Sequence, residues 1–340
     1  EEAARHYGFD KFPARLPPAR QPAARLPNAA AEDALRERLV ALGYQEIISI
    51  PLVDPADDEL FRADAAPRPV LIGNPLASDA SQMRTSGMVN MLHALEWNIN
   101  RGQHSARLFE IGKAYVLDGN APRETRILTL GATGAAREKS VHDSESAYSF
   151  ADLKGDLESL AELAGGIAWS RNGKGAVPLW LAAAHAGLME VASGGGKRAG
   201  VAGRLARAMQ ERFKLRQEVF VAELQLDALF TGYAAARAAI RYRPIPRFPA
   251  VERDFSLLLP DGTAFADVAG AIRALGIAEI ASIEAVDLFR GGGQVPEGKY
   301  SLLVRVTLQS AEATFSETQL SDFSARIIAA LEKTGATLRI

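Results

Sequence analysis

The stretch GGGQVPEGKYS, Gly291 to Ser301, carries a spacing that could cradle phosphate. From Gly293 it reads G-x-x-x-x-G-K, in which glycines let backbone N–H groups surround nucleotide phosphates and the lysine reaches the terminal one. A loop of that kind must run from a strand into a helix, because the first helical turn supplies free N–H groups and the positive end of the dipole. Here the following residues, KYSLLVRVTLQ, alternate as a strand. Tyr300 stands where serine or threonine would hold magnesium, Pro296 lacks an N–H, and Glu297 would sit beside phosphate charge. The spacing therefore predicts a hairpin connection whose glycines serve positive φ angles.

Other residues invite chemistry of different kinds. Arg247, Arg253, Arg290 and Lys299 could meet RNA phosphates from loops and edges, although each also reads as a solvated charge. The basic run KRAGVAGRLARAMQERFKLRQ reads as a solvated helix face. In the strand RLFEIGKAYVL, Phe109, Ile111, Tyr115 and Leu117 are assigned to one face. Glu110, Gly112 and Ala114, on the other, are small enough to admit a ligand or, the weightier reading, a neighbouring element. His6, His93, His104, His142 and His185 show no metal-ligand spacing, and no serine sits in a nucleophile elbow. The absence of cysteine excludes disulfides, thiolate metal sites and cysteine nucleophiles.

These residues sit in a chain of 340, with 48% hydrophobic and 24% charged residues, long enough for two separate cores. A net charge of -2 argues against a dominant electrostatic hold on nucleic acid and leaves room for a local basic patch. No apolar run is long enough to cross a membrane, so a cytoplasmic protein is expected. Because the sequence opens with Glu1, it is expected to be a piece of something longer.

The elements that must position the candidates follow from period and punctuation. Residues 12 to 28 are proline-rich and read as an extended connector. Asn28 is placed to cap a helix whose Leu35, Leu39 and Leu42 share a face until Gly43 ends it. IISIPLV is expected to be extended, VLI (70–72) a short strand, MVNMLHALEWNIN a helix and ILTLGATGA a strand. FADLKGDLESLAELAG is expected to be a helix buried along Leu153, Leu157, Leu160 and Leu163. RYRPIPRFPA reads as a linker. The last hundred residues order themselves β-α-β-β-α-β, the ferredoxin-like split unit, with a capping box at Ser316 and Gln319. On KYSLLVRVTLQ the outward positions are Leu303, Arg305 and Thr307, with Tyr300 turned away, so no base-stacking platform is expected.

The segments EEAARHYGFDKFP, NPLASDASQMRTS, RLFEIGKAY, FADLKGDLESL, RFPAVERDFSLLL, FRGGGQVPEGKYSLLVRVTLQ and GATLRI, taken in order, resemble the C-terminal part of the bacterial phenylalanyl-tRNA synthetase beta subunit. The resemblance implies an α+β chain in three parts. Residues 1–27 would be the tail of a small preceding domain and its linker, 28–240 a class II synthetase-like antiparallel sheet domain, and 241–340 a ferredoxin-fold anticodon-binding domain. The loop between Arg290 and Pro296 is one residue longer than is usual in the family.

The same resemblance bears on chemistry. Class II catalysis needs arginines that neutralise ATP phosphates. GKAYVLD is similar to the second class motif, yet Val116 stands at the arginine's place, and GVAGRLAR lacks the glycine spacing of the third. The resemblance therefore implies no catalytic residues in this chain. ATP would be bound by a separate alpha subunit, this chain would be its scaffold in an alpha2beta2 holoenzyme, and the bound RNA would be tRNA(Phe). A shared magnesium is implied at Glu1 and Glu2, which precede YGFD, with two further aspartates expected upstream. The rival expectation is a stand-alone adapter using a degenerate class II fold for dimerisation and protein binding.

Overall fold

Two runs of strands separated by a proline-containing segment divide the chain into units at Glu1–Ile240 and Arg241–Ile340. The computed structural model describes residues 2–15, 24–62, 66–170, 177–191, 198–242, 244–291 and 295–339. The strands of the first unit's large sheet are Gln45–Glu46 (β1), Ala106–Asp118 (β2), Ala121–Thr133 (β3), Ile167–Ser170 (β4), Leu181–Val191 (β5), Arg198–Leu205 (β6) and Val219–Gln225 (β7). They lie in the order β1-β2-β3-β7-β6-β5-β4. β1 pairs in parallel with β2, and the remaining pairs are antiparallel.

The period of two along each strand gives the sheet two different faces. Phe109, Leu128, Leu130, Phe220 and Leu224 point into a core shared with helices Ala29–Ala41 (α1), Phe150–Glu162 (α3) and Leu226–Ala239 (α4). On the opposite face Met88, Met91, Leu92 and Leu95 of helix Met88–Ile99 (α2) pack against Leu108, Val219 and Val221. Gly131 permits that approach. A Cβ there would lie 2.7 Å from Met91 Cγ and 2.9 Å from Leu95 Cδ1.

Beside α2 the same face turns polar. Arg84 and Glu110 are 2% and 4% exposed. Arg84 donates from Nη1 to Glu110 Oε2 at 2.9 Å and from Nη2 to Oε1 at 3.0 Å, the forked geometry that suits guanidinium and carboxylate. Its Nε donates to the Lys113 carbonyl at 2.9 Å, and Nη1 also reaches Ser49 Oγ at 2.8 Å and Asn90 Oδ1 at 3.2 Å. Asp58, fully buried, accepts from Thr85 N, Thr85 Oγ1 and Gln82 Nε2 at 2.9, 2.8 and 2.6 Å. These bonds fasten residues 82–87 to the sheet just before α2 begins.

Several local expectations are corrected here. Asn28 occupies the cap position of α1 but has φ 66 and makes no side-chain cap bond, while Gly43, at φ 87, does end the helical segment. VLI is no strand; Leu71 forms a single bridge to Gln82. IISIPLV contributes only the pair Leu52–Val53, hydrogen-bonded to Gln82–Met83, and leaves Ile48 and Ile50 exposed. The basic run is not one helix face. Its first part is β6, interior to the sheet, where buried Ala199, Val201, Ala202 and Leu205 outweigh the scattered charges, and its second part is the short helix Arg207–Arg212.

The second unit comprises Val251–Pro260 (β8), Phe265–Arg273 (α5), Ile280–Phe289 (β9), Lys299–Leu308 (β10), Glu317–Glu332 (α6) and Thr337–Leu338 (β11). Its sheet runs β9-β10-β8-β11, all antiparallel, which is the split β-α-β-β-α-β arrangement. Leu257, Leu302, Val304 and Val306 pack against Val268, Ile272, Ile327 and Leu331, and the Ser316–Gln319 capping box starts α6. β9 and β10 form the hairpin expected of the glycine-rich stretch. Gly291 and Gly298 have φ 79 and 76, and residues 292–294 lie outside the described residues.

Two outcomes follow for stability. Arg84→Met strands the Glu110 carboxylate without its buried partner and should cost about 3–5 kcal/mol in urea unfolding, most of which Glu110→Leu added to it should restore. Leu302→Ala should cost about 2–5 kcal/mol. Hydrogen exchange should then speed up in β8 and β10 while amides of β2 and β3 keep their protection.

Candidate functional site

The polar face of the first sheet opens into a cleft of about 290 Å³. Ala114 and Val116 of β2, Thr125 and Ile127 of β3, Val201 of β6 and Glu223 of β7 contribute to its lining. Glu223 Oε2 accepts from Ser86 Oγ at 2.7 Å and from Gly87 N at 2.8 Å. Burial pushes the Glu223 carboxyl up, and these two bonds and the charge of Arg84 offset part of that rise. Asp58 is pushed up by burial in the same way, against the pull of its bonds from Thr85.

The small residues of β2 thus have two distinct neighbours. Over Gly112 lies the chain's own Arg84, whose Nη2 would be 2.1 Å from a Cβ built there. Ala114 and Val116 face the cleft. Val116 stands opposite Arg123 in the β2–β3 register, and Arg123 Nε is 4.0 Å from Asp118 Oδ2. GVAGRLAR runs through β6, where a Cβ on Gly203 would lie 2.7 Å from the His185 carbonyl oxygen, so that glycine serves contact between strands.

The four cations read as RNA contacts fall into two pairs. Arg290 donates to Asp261 Oδ1 at 2.6 Å and lies 4.6 Å from the Tyr300 ring centroid, while Lys299 opens β10 opposite Pro260. Arg253 lies near the other end of β8, opposite Val306, and exposed Arg247 precedes that strand. The seven residue steps from Arg253 to Pro260 span about 23 Å of strand. Tyr300 is buried, its hydroxyl donating to the Thr263 carbonyl at 2.7 Å.

The open face of this second sheet is acidic. Arg305 donates from Nε and Nη2 to the two carboxylate oxygens of Asp254, both at 2.7 Å, and its Nη1 lies 3.0 Å from Glu252. The bond from Arg305 holds Asp254 below the usual carboxylate range. Glu284 stands opposite Arg305 on β9, and Asp287 opposite Leu303.

Glu2 begins the short helix Glu2–Tyr7, where its carboxylate pairs with Arg5 and lies 3.7 Å from His6 Nε2; Glu1 is outside the described residues. Magnesium takes a full shell of oxygens. Glu2 alone does not supply one, and the described residues hold no group of three or more His, Cys, Asp or Glu placed for a metal ion. Sequence reasoning missed Asp58, Arg84 and Glu223, since none carries a spacing that announces its partners.

Comparison with known proteins now adds to this geometry. Residues 12–226 match the phenylalanyl tRNA synthetase beta chain CLM domain, and residues 246–339 the ferredoxin-fold anticodon binding domain. The phenylalanine–tRNA ligase beta subunit of Thiobacillus denitrificans is 34% identical over 341 residues, covering 100% of this chain and 41% of that protein. Those of Clostridium acetobutylicum and Pseudomonas syringae pv. syringae are 28% and 30% identical, again over 100% of this chain and 41% and 42% of theirs. The chain therefore spans about two fifths of the length of these relatives. A solved pyrrolysyl tRNA synthetase, PylSc of Desulfitobacterium hafniense, shares 12% identity at a TM-score of 0.43 over 63% of this chain and 70% of its own, too slight a likeness to argue from. With both units matched and a 34% identical relative aligned over the whole of this chain, the chain belongs to the phenylalanyl-tRNA synthetase beta subunit family.

Proposed function

We propose that this chain is the non-catalytic scaffold and tRNA-binding portion of a phenylalanine–tRNA ligase beta subunit. It works in the cytoplasm in an alpha2beta2 holoenzyme that charges tRNA(Phe), with ATP bound by the alpha subunit and magnesium belonging to the assembled enzyme. The family match along both units carries the reading. Phosphate chemistry requires cations aimed at the developing charge. The arginine buried in the sheet face, Arg84, instead donates to Glu110, Ser49, Asn90 and the Lys113 carbonyl, and Val116 offers only an alkyl surface.

The acidic open sheet in the second unit repels a phosphate backbone. That favours RNA contact through the two ends, Arg247 with Arg253 and Arg290 with Lys299. The assignment is tested by restoring the upstream part of the protein and mixing it with a cognate alpha subunit, which should give a stable complex that charges tRNA(Phe). This chain alone should give no phenylalanine-dependent exchange between ATP and pyrophosphate; exchange would overturn the non-catalytic reading. Failure to associate would favour the adapter.

Within the holoenzyme, Arg290→Ala with Lys299→Ala should weaken tRNA binding, each lost phosphate contact lowering the salt slope by about 0.7 to 0.9. Unchanged affinity at low salt would remove that end of the sheet from the interface.

A further inference from the structure

Three carboxylates, those of Asp58, Glu110 and Glu223, lie together on the sheet face beside the cleft, and the charges of Asp58 and Arg84 both act on Glu223. Arg84 binds Glu110 with both terminal nitrogens. Arg62 acts on Asp58, but its Nη1 donates to Glu59 at 2.9 Å. Of these three acidic groups, Glu110 is the one directly bonded to a guanidinium among the described residues. Glu223 gives Oε2 to Ser86 and Gly87, whereas Oε1 has no hydrogen-bond partner among the described residues and is not sealed off from solvent.

Polar and apolar side chains share the walls of the cleft, Thr85, Thr125 and Gln225 among the polar ones. Val201 stands opposite Glu223 in the β6–β7 register, and Ile127 and Ala114 line the cleft beside it. Arg123 also lines the cleft, with its Nε 4.0 Å from Asp118 Oδ2. Thr129 faces Glu223 across β3 and β7, and Arg123 lies six residues along β3, about 20 Å of strand away. A carboxylate losing its hydration costs free energy that a cation placed against it offsets.

We propose that this cleft binds a small primary ammonium compound with an apolar body, the ammonium on Glu223 Oε1 and the body against Val201, Ile127 and Ala114. The assignment does not depend on the tRNA ligase reading. It rests on a cavity, an unshared carboxylate oxygen and the alkyl side chains of Val201, Ile127 and Ala114 on one part of its wall.

The test is a titration of the ¹⁵N-labelled chain, followed by amide NMR shifts, with isopentylamine and with 4-methylpentanoate, which has the same branched body and the opposite charge. The amine should shift amides of β2, β3, β6 and β7 around the cleft saturably, and the carboxylate should not. Glu223→Gln, which keeps an oxygen for Ser86 and Gly87, should weaken amine binding by about tenfold or more, and Thr125→Phe, which fills the half-buried end of the cleft, should also weaken it. Melting temperatures of both variants establish that they are folded. Equal binding of the two compounds, no saturable shift with the amine, or undiminished binding by folded Glu223→Gln or Thr125→Phe would each overturn the proposal.

Discussion

A guanidinium with almost no contact with water holds the first unit's sheet face in order. Arg84 sends both terminal nitrogens to Glu110 and its remaining directed bonds to Ser49, Asn90 and the Lys113 carbonyl, so four separate segments share one charge pair. A buried ion pair is a poor source of net stability, because desolvation consumes most of the attraction. Its value here is positional. With Arg84 fixed, the next residues Thr85, Ser86 and Gly87 are set against Asp58 and Glu223, and α2 starts from that anchored turn. The lack of a side chain at Gly112 is the other half of the same device, since any Cβ would displace the guanidinium.

The two units differed in how much of them could be read in advance, for a physical reason. In β10 every second residue from Tyr300 to Leu308 is buried, so a single alternation states strand, face and register together. α6 repeats the lesson at a period near 3.6, with its capping box marking the first turn. β6 hides its alternation because its inward residues are small and its neighbours basic, and charge outweighs Ala199 and Ala202 in any window average. β1 and the Leu52–Val53 pair are too short to show a period at all.

Sites were harder to read than elements because they are made by distant pairs. The smallness of Gly112 and Ala114 was visible in the sequence, but what lies over each depends on residues 82–87 folding back on the sheet. Arg84 and Glu110 are far apart in the chain, as are Ser86 and Glu223, and no local spacing relates either pair. The cations of the second unit show the same limit. Sequence offered Arg290 as an RNA contact or a solvated charge; the fold adds Asp261 and the Tyr300 ring as its neighbours.

Both units commit arginines to carboxylates of their own, and in the second unit this sets the local charge along the sheet. On the ferredoxin-like sheet Arg305 is chelated by Asp254 and flanked by Glu252 and Glu284, so the centre of the open face carries more negative than positive charge. At an exposed site each pair is worth little to stability. As a field the cluster matters more, because it makes the open sheet face unattractive to phosphates. A net charge of -2 cannot reveal this, since it averages an acidic sheet centre with cations at both ends of β8. The useful quantity is the local charge beside each strand end, and there Lys299 and Arg247 extend beyond the carboxylates that hold Arg305.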